Sequence, residues 1–433
     1  MGARARRAAA PAAGGEPPAV RVSGAALPFE AGSVRVDRAR RARPGRMLWC
    51  APVAARRPTA LVVALALVWL ALGWANVARG ARHAGAGYRF WAFQHHCYSD
   101  VIALHGDRYL GGGRPLPYLE DRIEYPVLLG IALWLPSFVP GGPLAHFTVT
   151  YLFLSACLAA ALLALARTPG AAPWWLGATP ALVYYAGLNW DLLPIALLAL
   201  AVLADASRRP GASGALAGLG VCAKLFPATF VPPSAAALAL GGGAGLARFL
   251  AALAATLLAV NLPFAVAAPE AWSWFFRFNA GRGAENSIWE ALRVPPGPLL
   301  EALSFGPLAL ATLLGALASG RAARAGDGGR AVRLAAAFSL VVWIATNKVY
   351  SPQYALYGFL AGALAAAPLT LFLALSAISV ADFHLAFEVR ARSWEPAFRD
   401  HFVEPGHVVR TLLWLLLAAW IGRELWRLAR APP

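Results

Sequence analysis

A polar loop, residues 79–124, holds the side chains best suited to chemistry. Its carboxylates are Asp100, Asp107, Glu120, Asp121 and Glu124, and they stand among many aromatic residues. Asp100 follows a His-His-Cys-Tyr-Ser run just beyond the first long apolar segment. A loop that only connects two membrane segments would be short and would carry few aromatic or acidic residues. The loop therefore predicts chemistry at a membrane surface, with Asp100 as the candidate catalytic residue and the other four acids as competitors.

Lysine is rare in this chain, and both lysines interrupt apolar sequence. Lys224 lies in GVCAKLFPATFVPP and Lys348 in IATNKVYSPQY. A charge half-way along an apolar segment is costly, and such residues usually face a partner or a cavity. Lysine is also a compact cation that suits a phosphate. Two alternatives stay open: an ion pair of Lys224 with Asp191, and a surface position for Lys348 at a helix end.

The composition indicates which secondary-structure elements hold these residues in place. The chain of 433 residues is 59% hydrophobic and 14% charged, with a mean hydropathy of +0.57, whereas a soluble domain carries about 25% charged residues. Apolar runs near 20 residues recur, and each can cross a hydrocarbon core of about 30 Å. In lipid every backbone group must be satisfied internally, so these runs are helices. The sequence predicts an all-α polytopic membrane protein.

The apolar runs predict a bundle of about twelve transmembrane helices. They lie at 59–78, 125–139, 144–166, 173–187, 189–205, 212–238, 246–267, 298–319, 331–346, 354–366, 368–380 and 407–430. A basic start places the N-terminus in the cytoplasm, which makes 79–124 a long first extracytoplasmic loop. The short pair 173–187 and 189–205 is also compatible with re-entrant or broken helices.

The N-terminal residues 1–57 predict a disordered, basic cytoplasmic tail, since they are rich in Ala, Arg, Gly and Pro and lack an apolar period. A start of translation at Met47 is the alternative. Residues 58–430 then form the transmembrane domain. The net charge of +17 does not indicate nucleic-acid binding, because the arginines flank apolar segments as the orientation rule for membrane proteins expects.

Metal binding is not indicated. His95, His96 and His105 lack the spacing that would place two ligands on one helical face, and the four cysteines are far apart. The second outer loop carries AWSWFFRFNAGRGAENSIWEAL. Its aromatic residues predict a helix lying in the membrane interface, which acts either as an anchor or as a wall for a lipid-linked substrate.

An ordered set of short motifs resembles the GT-C superfamily of bacterial membrane glycosyltransferases, and more narrowly glycosyltransferase family 87. The set begins with Asp100 in the first outer loop and spans about residues 59–380. It continues through EYPVLLG, LNWDLLPIALLAL, AKLFP, NSIWEAL and NKVYSPQY. The second-span motif of the family often has two prolines after its tyrosine, and here Val127 stands in the second place.

The resemblance implies an inverting hexosyltransferase. Its donor is a sugar, most often mannose, on a polyprenyl phosphate, and its acceptor is a glycolipid or a polysaccharide at the outer face of the bacterial plasma membrane. Asp100 would be the general base. The implied substrate- and phosphate-binding residues are Lys348, Tyr350, Gln353, Tyr354, Lys224, Glu124, Tyr125, Asp191 and Arg122. The sequence has no glycine-rich phosphate loop and no DxD pair in its outer loops, so we expect neither a metal nor a cofactor.

The alternative is a multi-pass transporter or lipid flippase, since broken helices and a charge at mid-membrane also occur in transporters. The sequence shows no convincing internal repeat, and most of its acids fall in the outer loops. For the glycosyltransferase, we expect Asp100, Lys348 and Tyr350 to meet in one cavity open to the outer face, with an apolar groove beside it.

Overall fold

The computed structural model describes residues 56–109, 112–243 and 245–430, and these residues contain helices and no β-strand. The predicted all-α class is confirmed for this part of the chain. The predicted tail, with its alternative start at Met47, lies outside the described residues except for Arg56 and Arg57, which begin the first helix.

The helices are named α1 to α19 in chain order. The first nine are α1 (Arg56–Ala81), α2 (Tyr88–Gln94), α3 (Asp100–Arg108), α4 (Val127–Trp134), α5 (Gly142–Arg167), α6 (Trp174–Gly177), α7 (Ala181–Tyr185), α8 (Leu192–Ala206) and α9 (Pro210–Ala223). The others are α10 (Val231–Leu240), α11 (Leu246–Ala267), α12 (Pro269–Ala280), α13 (Ile288–Ala291), α14 (Pro298–Arg324), α15 (Gly328–Thr346), α16 (Ala355–Ala365), α17 (Leu369–Ala391), α18 (Pro396–Phe398) and α19 (Glu404–Arg430).

Six helices of the described residues are long and apolar enough to cross a membrane. They are α1 from Ala60, α5, α11, α14, α15 and α17. Shorter apolar helices cover Val127–Phe138, Leu192–Ala206, Pro210–Ala223 and Phe226–Leu240. The chain is therefore a membrane-embedded α-helical protein, in which short apolar helices accompany the six long ones.

Two of the expected spans are interrupted. The segment expected as one helix over 212–238 is broken after α9, where Lys224 has an extended backbone and a 3₁₀ turn over Phe226–Phe230 follows. The segment expected over 173–187 forms only α6 and α7. Pro180 precedes α7, and a proline disfavours helical geometry at the residue before it. The alternative of broken helices is thus the better description of 173–187.

The breaks in the helices are places where the backbone needs other partners. Residues 347–351, between α15 and the turn before α16, pair with the segment before α13. The Glu285 amide donates to the Lys348 carbonyl oxygen at 2.9 Å, and the Tyr350 amide donates to the Glu285 carbonyl oxygen at 2.9 Å. This short parallel bridge satisfies backbone groups that a helix would otherwise satisfy.

Two glycines on α16 allow close packing in the core. A methyl group added at Gly358 would lie 2.2 Å from the Trp414 ring, and one added at Gly362 would lie 2.1 Å from the Trp175 ring. Both tryptophans are fully buried. The spacing of four residues puts both glycines on one face of α16, so that two large rings can approach its backbone.

We predict that Gly358→Ala and Gly362→Ala each destabilise the protein by about 1–3 kcal/mol, because overpacking a tight core forces rings off their preferred positions. The measurement is the temperature of half-maximal aggregation in detergent. Gly306→Ala is the matched control, since nothing lies within 4 Å of its added methyl group. An equal loss in all three variants would contradict the packing argument.

Candidate functional site

A cavity of about 1000 Å³ lies where the breaks between helices meet. Its wall contains the loop before α3, the break between α7 and α8, the extended residue after α9 and the segment after α15. The aromatic helix α12 and one face of α14 complete it. Polar side chains line one part of this cavity and apolar side chains line the other.

Asp100 is fixed in the cavity wall by its backbone. It is the first residue of α3, and the Ser99 hydroxyl caps this helix by accepting from the Val101 amide at 3.1 Å. The same hydroxyl donates to the Gly187 carbonyl oxygen at 2.6 Å, and the Asp100 amide donates to the Leu188 carbonyl oxygen at 2.8 Å. The loop before α3 is therefore attached to the break that follows α7.

The Asp100 carboxylate accepts two hydrogen bonds. The Tyr98 hydroxyl donates to Oδ1 at 2.8 Å, and the Asn189 amide nitrogen donates to Oδ2 at 2.8 Å. Burial raises the pKa of Tyr98 well above its usual value, so this phenol remains a neutral donor at pH 7. The start of a helix also favours a negative charge. These contacts suit an ionised carboxylate and hold it in one orientation.

Lys224 forms an ion pair with Asp191, which lies at the start of α8 and is fully buried. Tyr357 donates to the same carboxylate oxygen. The ion-pair alternative for Lys224 is thus confirmed. The ammonium still lines the cavity and lies 5.8 Å from the centre of the Tyr125 ring. Its role in binding phosphate remains a prediction, with Asp191 as a competing partner.

Lys348 also has a carboxylate partner. Its side chain is 4% exposed, pairs with Glu301 of α14, and donates to the Ala280 carbonyl oxygen at 3.1 Å. The alternative of a surface lysine at a helix end is therefore wrong. The ion pair balances the Lys348 charge.

Three arginines of the wall were not among the predicted site residues. Arg89 pairs with Asp107, and Arg282 pairs with Glu285. No carboxylate oxygen of the described residues lies within 4.0 Å of the Arg390 guanidinium, which donates to the Ala386 carbonyl oxygen of its own helix. The sequence offered one signal for Arg390, an arginine that follows the expected span 368–380.

The other predicted residues divide into two groups. Glu124, Tyr125, Gln353 and Tyr354 line the cavity together with Asp100, Lys224 and Lys348, whereas Tyr350, Asp191 and Arg122 are absent from its lining. The expected convergence therefore holds for Asp100 and Lys348 and not for Tyr350, which is buried behind the wall beneath a guanidinium. Arg122 pairs instead with Glu270 on the surface at 3.7 Å.

An apolar surface continues the cavity along a membrane-spanning helix. Phe305, Leu308 and Thr312 of α14 line it, and their spacing after Glu301 places all four on one helical face. Phe275 and Phe276 of α12 line the same cavity. The distance along α14 from Glu301 to Thr312 is about 16 Å at 1.5 Å per residue. An apolar groove therefore adjoins the polar part of the site.

The histidines of the first outer loop lie apart from Asp100. His96 contacts His384, with 2.6 Å between their Nδ1 atoms, while His105 stacks near His146. In the part of the chain that the structure describes, no group of three or more histidine, cysteine, aspartate or glutamate side chains could hold a metal ion.

Comparisons of the chain with protein-family models, with curated proteins and with solved structures each find no match. The resemblance to GT-C glycosyltransferases therefore rests on the motifs alone. What the described residues define is a membrane-embedded α-helical protein with a cavity that is polar at a fixed carboxylate and apolar along α14.

A buried ion pair supports this cavity from behind. Arg410 of α19 pairs with Asp382 of α17, donates to the Asn286 carbonyl oxygen, and lies 3.5 Å above the Tyr350 ring. It thus joins two helices to both segments of the bridge between Glu285 and Val349.

We predict that Arg410→Met lowers the free energy of unfolding by about 3–5 kcal/mol, because it leaves Asp382 as an uncompensated buried charge. The double variant Arg410→Met, Asp382→Leu should recover most of this loss. The measurement is thermal unfolding in detergent. A double variant no more stable than the single one would contradict the assignment of the loss to the unpaired carboxylate.

Proposed function

We propose that the chain is a GT-C-like membrane glycosyltransferase. It transfers a hexose or pentose, with mannose as the favoured candidate, from a polyprenyl phosphate to an acceptor. The acceptor is a glycolipid or polysaccharide at the outer face of a bacterial plasma membrane. The observation that carries the proposal is a carboxylate held by two hydrogen bonds in a cavity that continues as an apolar groove on a membrane-spanning helix. In this architecture the short apolar helices complete a bundle of about twelve spans.

The Asp100 carboxylate acts as the general base in a single displacement. It takes the proton of the acceptor hydroxyl while the acceptor oxygen bonds to the anomeric carbon. The bond from that carbon to the phosphate oxygen breaks, and its electron pair leaves with the lipid phosphate. Attack on the face opposite the phosphate inverts the anomeric carbon. An anionic phosphate needs cations and donors but no acid catalyst, so one carboxylate is sufficient for this chemistry.

The donor phosphate binds at the arginines of the cavity wall. Arg390 supports this assignment best, because no carboxylate oxygen of the described residues lies within 4.0 Å of its guanidinium. Arg282 contributes a second guanidinium, which its Glu285 partner holds at 2.9 Å. Guanidinium groups bind phosphate oxygens through strong charge-assisted hydrogen bonds. Lys224 and Lys348 add positive charge near the phosphate while they remain paired with their carboxylates.

The prenyl chain occupies the groove on α14. Phe305 is 44% exposed, so the lining of the cavity is continuous with the surface that faces lipid. A prenyl chain is branched and apolar, so its removal from water is favourable both against aromatic and aliphatic side chains and against lipid tails. The polar headgroup and the apolar tail of one lipid-linked donor thus match the two parts of one cavity.

We predict that Asp100→Asn lowers kcat for sugar transfer by roughly 10²–10⁴-fold, the usual contribution of a general base. The assay follows a labelled sugar from a polyprenyl-phosphate donor into membrane lipid and polysaccharide. Asp400→Asn is the matched control, since Asp400 is 43% exposed and pairs with Arg293 and Arg399, which lie outside the cavity lining. Near-normal transfer by Asp100→Asn would contradict the base assignment.

The transporter alternative makes a different prediction for the same preparation. A transporter moves its substrate across the membrane of sealed vesicles and forms no new glycosidic bond. Movement of the intact polyprenyl-linked sugar, with no labelled glycan formed, would replace the proposed function.

We predict that Arg390→Gln raises the KM for the donor by about 10- to 100-fold, the effect of losing a charge-assisted hydrogen bond of about 1.5–3 kcal/mol. Inhibition by free polyprenyl phosphate should weaken by a similar factor. Arg392→Gln is the control, because Arg392 pairs with Glu388 and Glu395 outside the cavity. Unchanged inhibition in Arg390→Gln would remove Arg390 from the phosphate site.

A further inference from the structure

The Asn189 side chain connects the Asp100 carboxylate to the buried ion pair beneath it. Its Nδ2 donates to Asp100 Oδ2 at 2.8 Å and to the Tyr125 hydroxyl at 2.8 Å. Its Oδ1 accepts from the Trp190 amide at 2.7 Å and from Lys224 Nζ at 3.5 Å. An amide group offers two donor hydrogens and two acceptor lone pairs, so every hydrogen-bonding position of this side chain is used.

Only one orientation of the Asn189 amide satisfies its neighbours. Rotating the amide by half a turn would point its oxygen at the Asp100 carboxylate and its hydrogens at two other donors, Lys224 and the Trp190 amide. Both contacts would then be repulsive. Lys224 in turn is fixed by Asp191, which is fully buried. The Trp190 amide at 2.7 Å and Lys224 at 3.5 Å therefore together determine which end of the amide faces Asp100, and the ion pair holds Lys224 in place.

We infer that Asn189 is a positioning residue for the base, and that the Lys224–Asp191 pair sets its orientation. The inference rests on the proposed role of Asp100. A donor from Asn189 on Oδ2 and one from Tyr98 on Oδ1 fix the plane of the carboxylate. Asn189 itself transfers no proton, and its effect on the reaction passes through Asp100.

Asn189→Asp isolates this role. The new carboxylate keeps an oxygen for Lys224 and for the Trp190 amide, so the local fold is retained. It replaces the donor that faces Asp100 with a second acceptor, and two carboxylates that share a site hold a proton more tightly than one. We expect kcat to fall about 10- to 100-fold, while the donor KM stays near the wild-type value.

The pH–rate profile separates positioning from a structural role. In Asn189→Asp the acidic limb of kcat should move to higher pH, so that raising the assay pH restores part of the lost rate. The charged and titratable groups around the new carboxylate are Asp100, Tyr98, Tyr125, Lys224 and Asp191. Asn189→Ser, which adds no charge, should lose kcat without this recovery, and it remains a test if Asn189→Asp does not fold.

The experiment compares wild type, Asp100→Asn, Asn189→Asp and Asn189→Ser in one detergent preparation with a labelled polyprenyl-phosphate sugar. A wild-type kcat in both folded Asn189 variants, with Asp100→Asn inactive, would overturn the positioning role and leave the proposed function intact. An active Asp100→Asn would overturn the base assignment itself. Loss of kcat with an unmoved acidic limb and a lower unfolding temperature would mark Asn189 as merely structural.

Discussion

The structure depends on one constraint: a backbone group in a membrane needs a hydrogen-bond partner within the protein. Helices meet this need by themselves, whereas breaks in helices meet it only where protein or a cavity surrounds them. Here the breaks at Leu188–Asp191, at Lys224 and at Asn347–Ser351 all reach one cavity. The fixed position of Asp100 follows from the same constraint, because its amide completes the hydrogen bonding of the Leu188 carbonyl group.

Charge in this cavity is arranged by pairing. Both lysines face carboxylates, Asp191 and Glu301, and these pairs reduce the cost of placing ammonium groups among apolar helices. The cations of the cavity therefore fall into two groups, those with a carboxylate partner and those without one. The Arg390 guanidinium, by contrast, has no carboxylate oxygen of the described residues within 4.0 Å and donates to the Ala386 carbonyl oxygen of its own helix.

Much of this arrangement could be read from the sequence, and the rest depended on packing. The long polar outer loop predicted Asp100 as a site residue. The interrupted apolar runs predicted Lys224 and Lys348 as residues beside a partner or a cavity, because an apolar segment tolerates such charges only there. Tyr350 was misplaced, since its position depends on Arg410, which lies sixty residues away in the last helix. Arg390 was missed because its place in the cavity wall depends on how α17 packs against the other helices. Five of the six long helices matched predicted spans, and the sixth, α17, continues to Ala391 beyond the expected 368–380. The break at Lys224 was not predicted, because it depends on the extended backbone of that residue.

The central claim is that one cavity binds a lipid-linked sugar and transfers that sugar to an acceptor. The most direct test offers the purified protein, in lipid nanodiscs, a panel of labelled polyprenyl-phosphate sugars and the matching nucleotide sugars, each with a membrane extract as acceptor. The account predicts label in a glycolipid or polysaccharide from at least one polyprenyl-phosphate sugar, inverted at the anomeric carbon, and none from a nucleotide sugar. Transfer from nucleotide sugars alone, or no transfer from any donor by folded protein, would contradict it.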